Sequence, residues 1–139
     1  MNTIASHAPA PGKISSRAHW TGLVMSGLVI AFLLFDAAIK LVPMGVVTET
    51  MTALGYPAGL ERGLGILTLV CALLYAVPRT AVLGAILLTG LFGGAMATHL
   101  RVGSPLFSHL LFGLYLGLLV WGGLYLRDAR LRALIPFRV

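Results

Sequence analysis

Six side chains stand out because their types and spacing can do chemistry in an otherwise apolar chain: Asp36, Lys40, Glu61, His99, Arg101 and His109. Asp36 and Lys40 are separated by four residues, which puts them on one helical face and within reach of an ion pair. Gly90, Gly94, Thr98 and Arg101 follow one another at steps of four, four and three. That spacing sets Arg101 above a small-residue seam, where its guanidinium would fork onto the carboxylate of Asp36 or Glu61. His99 and His109 bracket the turn in "ATHLRVGSPLFSH", and imidazole beside a carboxylate suits proton transfer near neutral pH. Neither histidine has a short ligand spacing of the HExxH kind, so no metal site is expected.

The rest of the composition says where these groups sit. Of 139 residues, 58% are hydrophobic and 10% charged, whereas an average soluble domain is about 25% charged. Too few polar residues are present to cover a water-soluble surface, so the chain is read as one integral membrane domain. The net charge of +6 falls at segment ends and is not interleaved with aromatics, which argues against nucleic-acid binding. The lone Cys71 excludes an intramolecular disulfide and a CxxC pair, and its apolar setting disfavours a reactive thiolate.

Four apolar segments are predicted to span the bilayer as helices, at about 20 residues each for a hydrocarbon core of about 30 Å. They cover residues 20–41, 58–77, 80–100 and 105–126. Between the first two, Pro43 restarts the backbone. Val47, Met51 and Leu54 then recur at helical spacing, which predicts a short amphipathic helix at the interface. The fold class is therefore all-α: a polytopic four-helix membrane bundle over residues 19–126, with a flexible tail at 1–18 and a basic tail at 127–139. Both termini and the Pro78-Arg79 turn fall on one side with Lys13, Arg17, Arg79, Arg127, Arg130, Arg132 and Arg138. Lys40, Arg62 and Arg101 fall on the other. The excess of cations assigns the termini to the cytoplasm, and the expected location is the cell inner membrane. The pairs Gly90/Gly94, Gly113/Gly117 and Gly59/Gly63 predict close helix packing, because membrane helices associate through small residues.

This topology gathers the opening six. At 1.5 Å per residue, Asp36, Glu61, His99 and His109 each lie about 24 to 28 Å from the cytoplasmic end of their helix. They form one layer just beneath the outer face. Ionisable groups in lipid cost about 2.5–3.5 kcal/mol each at a helix centre, so they must face one another or a wet cavity.

The runs "LGYPAGLERGLGIL", "PRTAVLGAILLTGLFGGAMATHLRVGSPLFSH" and "LRDARLRALIPFR" resemble the DoxX-like family of small membrane proteins. The resemblance extends from Trp20 to Arg138. It implies a four-helix membrane bundle and, through the wider family, a link to quinone-coupled or other redox metabolism with partner proteins. It transfers no catalytic residue.

Two functions follow as expectations. In the first, a membrane subunit in redox metabolism holds a quinone or similar amphiphile, its head on His99, Arg101 and Glu61, and meets a redox partner protein. In the second, a non-enzymatic scaffold docks on membrane proteins or on copies of itself as a homo-oligomer. The polar layer is then a structural ion-pair network, and the arginine tail lies on anionic lipid. A proton or solute carrier is a weaker third, since the cytoplasmic half lacks matching ionisable groups.

Overall fold

The computed structural model describes residues 14–42 and 44–135. Pro43, most of the N-terminal tail with Lys13, and the last four residues with Arg138 lie outside the described residues. Every regular element among the described residues is helical: α1 (Ser16–Leu41), α2 (Gly45–Ala53), α3 (Leu60–Ala76), α4 (Ala81–Arg101), a π-helical turn (Leu106–Leu110), α5 (Phe112–Arg127) and α6 (Ala129–Leu134). Three stretches are long and apolar enough to cross a membrane: Ser16–Leu41, Ala81–Arg101 and Leu106–Arg127.

The helices α1, α3, α4 and α5 form a closed ring, α1 packing on α3 and α5, and α4 on α3 and α5. Ser15 caps α1, its hydroxyl accepting from the Ala18 amide at 3.3 Å, so the helix takes in the last three residues of the stretch expected as a tail. Its buried face is Gly22, Ser26, Val29, Leu33 and Ala37, at steps of three and four, the stripe a helix turns towards its neighbours. The Pro78-Arg79 turn is as tight as expected. Thr80 closes it by donating its hydroxyl to the Leu74 carbonyl at 2.8 Å, which satisfies one of the open acceptors at the end of α3.

Close packing does occur at small residues, but mostly not at the expected pairs. A Cβ on Gly84 would strike the backbone of Tyr75, and one on Gly22 would lie 2.7 Å from the Gly123 carbonyl oxygen. Of the GxxxG positions only Gly113 is tight, against Met96. At Gly59, Gly63, Gly90, Gly94 and Gly117 a Cβ meets nothing within 4 Å. Composition identifies small residues; only the crossing of the helices decides which of them touch.

At the same end as these contacts lies a buried polar node. Tyr75, 0% exposed, places its hydroxyl 2.8 Å from the Val120 carbonyl and 2.9 Å from Ser26 Oγ. A carbonyl can only accept, so the tyrosine proton goes to Val120 and Ser26 donates to Tyr75. One phenol thereby ties α1, α3 and α5. Arg127 caps the node from the end of α5. It donates to the Tyr75 carbonyl at 3.2 Å, and its guanidinium carbon sits 5.2 Å from the ring centre. Tyr75 is thus part of the buried core. The arginine tail also folds inward in part: α6 buries Leu131, and Arg132 donates to the Tyr125 carbonyl at 2.8 Å.

Candidate functional site

At the opposite end the ring opens into a cavity of about 740 Å³, within the range of about 300–1,000 Å³ typical of small-molecule sites. Its walls are mainly apolar: Leu33 and Phe32 from α1, Leu64 and Cys71 from α3, Leu91 and Phe92 from α4, and Leu116 from α5. Phe32 and Phe112 meet edge to face at 5.3 Å across it. Helix α2 contributes Val46, Val47, Thr50 and Met51.

Four of the six ionisable residues line this cavity: Asp36, Lys40, His99 and His109. Lys40 Nζ is 2.5 Å from Asp36 Oδ2, both side chains being about a quarter exposed, so the pair expected from the i, i+4 spacing forms. The two imidazoles come from different elements, α4 and the π turn, and stand 5.6 Å apart with their rings at 62°. Each is held through Nδ1 by a neighbouring serine: His99 by Ser104 Oγ at 2.9 Å, His109 by Ser108 Oγ at 2.7 Å. The remaining Nε2 atoms make no hydrogen bond to any described residue. A serine that donates to Nδ1 leaves the proton on Nε2, and one that accepts leaves a lone pair there.

Glu61 and Arg101 are placed differently from the sequence expectation. Arg101 Nη2 donates to the Leu54 carbonyl at 2.7 Å, at the end of α2, and Lys40–Asp36 is the one ion pair among the described residues. Glu61 lies in the first turn of α3 with Oε2 buried and without a hydrogen-bond partner among the described residues, and neither residue lines the cavity. The reason is geometric. A four-residue shift on one helix is a short-range constraint that survives folding. A pairing between helices depends on relative rotation, which the spacing of Arg101 along α4 does not encode. Among the described residues no three of His, Cys, Asp and Glu come together as metal ligands.

Two features of the site escaped the sequence reading. The first is a cross-link: Thr98 donates to the Gly94 carbonyl at 3.0 Å, so Tyr56, 2.7 Å away, donates to Thr98 Oγ1. With Arg101 on Leu54, this clamps the α2–α3 connection onto α4. Tyr56 had a signal, since it stands between Gly55 and Pro57, where a loop tyrosine next to a polar layer needs a partner. The second is the π turn. Pro105 and Leu106 accept from the amides five residues on, at 3.2 and 2.9 Å. Pro105 was expected to start a continuous α-helix; instead a wider turn precedes α5 and carries His109 into the cavity. Single π turns often mark functional sites.

An all-helical chain with membrane-length apolar helices and polar groups drawn into one internal cavity is an integral membrane protein. Its family is shown as well: the DoxX-like family model matches residues 24–123, a span that includes all six ionisable residues, and the chain belongs to that family. A search of the curated proteins and of the solved structures finds no match.

Proposed function

We propose that this DoxX-like protein is a four-span subunit of the cell inner membrane, with both termini cytoplasmic, that holds the head of a quinone-type amphiphile at the outer end of its bundle. The fourth span is α3. Its 17 residues reach about 26 Å, close to the hydrocarbon thickness of about 30 Å, and it packs between α1 and α4. Helix α2, polar on one side and buried through Met51 on the other, lies at the outer interface.

The observation that carries the reading is the pairing of a large apolar cavity with His99 and His109, whose Nε2 atoms are unengaged among the described residues. The donor set fits a quinone: an aromatic-walled slot for the ring, and imidazole N–H groups or lone pairs for its carbonyl oxygens. A bound quinone supplies two-electron, two-proton chemistry, with electrons exchanged through a membrane redox partner. The chain's own part is positional. His99 and His109 hold or release a proton at Nε2, Ser104 and Ser108 fix the opposite ring nitrogens, and the apolar wall keeps water from the ring. Asp36 and Lys40 neutralise each other, so the cavity presents a dipole and not a net charge. Of the two residues expected on the head group, Arg101 serves instead as part of the α2 clamp on the Leu54 carbonyl, and Glu61 does not line the cavity.

The test is extraction of the full-length protein, purified in mild detergent, followed by chromatography for co-purifying quinone, with a melting measurement on adding quinone. Wild type should carry or be stabilised by quinone, and His99→Ala with His109→Ala should lose this. Absence of both signals in wild type sinks the reading.

A second reading draws on the unfilled surface at Gly90, Gly93 and Gly94: a scaffold whose α4 docks on another copy. Its ion-pair network reduces to Asp36–Lys40 among the described residues, which leaves the cavity without a purpose. In that case Gly93→Leu lowers the oligomeric state in a native-mass or cross-linking measurement, whereas the quinone site does not involve Gly93.

A further inference from the structure

The cavity is not closed on the side between α3 and α4. On α4 the residues Leu87, Leu91, Gly94 and Thr98 recur at helical spacing and line it, with Gly90 at the edge. On α3 the matching rim residue is Leu67. Leu67 and Leu87 are cavity wall and outer surface at once, 46% and 41% exposed. Nothing lies within 4 Å of a Cβ on Gly90 or Gly94. The two helices touch backbone to backbone at Gly84 and Tyr75, and further along both line the cavity, α3 with Leu64 and Leu67 and α4 with Leu87, Leu91 and Gly94. Above the gap, the clamp of Tyr56 on Thr98 and Arg101 on Leu54 ties the α2–α3 connection to α4. The result is a window, closed below and above, whose sill is glycine and whose outside is the acyl region of the bilayer.

Resting on the quinone reading, we propose that the ligand is a long-chain amphiphile whose hydrocarbon tail leaves sideways through this window, over Gly90 and Gly94, into the lipid. The occupant is set by the surroundings. A cavity of about 740 Å³ encloses about one drug-sized molecule, so a chain longer than that must leave it. The window faces lipid at a depth where only hydrocarbon is stable. Its missing side chains leave a slot a linear chain can cross, and the head enters from the membrane, not from water.

The experiment uses the full-length protein in one detergent with two probes: a decyl-substituted benzoquinone, and the same ring with a methyl group in place of the chain. Affinities are read for wild type, Gly90→Leu, Gly94→Leu and, as a control of equal bulk on the same helix, Gly93→Leu, which does not line the cavity. No neighbour lies within 4 Å at any of the three positions, so each variant should fold, checked by its melting temperature. Detergent partitioning favours the decyl probe equally in every variant, so the ratio of the two affinities isolates the window. In Gly90→Leu and Gly94→Leu that ratio should fall about tenfold from overpacking of the slot, with the methyl probe unaffected and Gly93→Leu like wild type. An unchanged ratio overturns the window and leaves the head site standing. Equal loss of both probes overturns it too, because leucine would then be filling the head site. Failure of wild type to bind either probe overturns the quinone reading and the window with it. If decanol competes as well as the decyl quinone, the window stands and the quinone head does not.

Discussion

The two ends of the bundle use the same kinds of residue for opposite purposes. At the end near the chain termini, glycines are places where backbones touch: Gly84 on Tyr75 and Gly22 on Gly123. The Tyr75 hydroxyl there is saturated, accepting from Ser26 and donating to Val120. At the other end, Gly90 and Gly94 border empty space, and the histidines leave Nε2 open. A glycine beside backbone with a satisfied hydroxyl makes a joint; a glycine beside a void with an unsatisfied nitrogen makes a site. The division has a physical basis, since in lipid there is little hydrophobic gain from burying leucine, and helices are held by fit and by hydrogen bonds. One end of the bundle must supply that fit if the other is to stay open.

The packed end is most vulnerable at Gly84. An alanine Cβ there collides with Tyr75 backbone and not with a side chain that can swing away. The helix must shift, at a cost of about 3 kcal/mol, only partly offset by the roughly 1 kcal/mol alanine gains over glycine in a helix. Gly84→Ala should lower the melting temperature and the resistance to unfolding in SDS more than any other change considered. A mild effect would mean that α3 and α4 are not in backbone contact.

Next in size is Tyr75→Phe. It removes one hydroxyl but leaves two partners buried, the Ser26 hydroxyl and the Val120 carbonyl. The loss should be about 1–3 kcal/mol, the usual cost of stranding buried polar groups. Ser26→Ala, which leaves the Tyr75–Val120 bond in place, should cost less. SDS or thermal titration of the two variants and their double gives the coupling, and strict additivity would count against a shared node.

The contrast between the ends also explains what could be seen without coordinates. Helix existence was legible, because long apolar runs broken at Pro57, Pro78 and Pro105 allow little else. The Asp36–Lys40 pair was legible, because both residues ride on one rigid helix. Counting residues from helix ends predicted one layer of Asp36, Glu61, His99 and His109, of which Asp36, His99 and His109 line the cavity and Glu61 does not. The facing of Arg101, the open state of Gly90 and Gly94, and the burial of Tyr75 depend on rotation and tilt. No residue spacing within a single helix carries those. The π turn was hidden for a related reason: its extra residue per turn alters phase, and Leu106–Leu110 has no composition that separates it from an α-helical start.

At the open end a glycine substitution should do least. Gly94→Ala adds a methyl where nothing lies within 4 Å, at a position that has no positive φ. Steric cost is therefore absent, and alanine's better helix propensity should hold stability level or raise it by up to about 1 kcal/mol. The same substitution chemistry, glycine to alanine in one helix ten residues apart, thus has opposite signs at Gly84 and Gly94. Measuring both in one detergent cancels uncertainty in the unfolded reference, and the difference, about 2 to 3 kcal/mol, reads the divergence of α3 from α4 directly. Equal destabilisation at the two sites would mean that the helices stay in contact along their length and that the cavity is closed on that side.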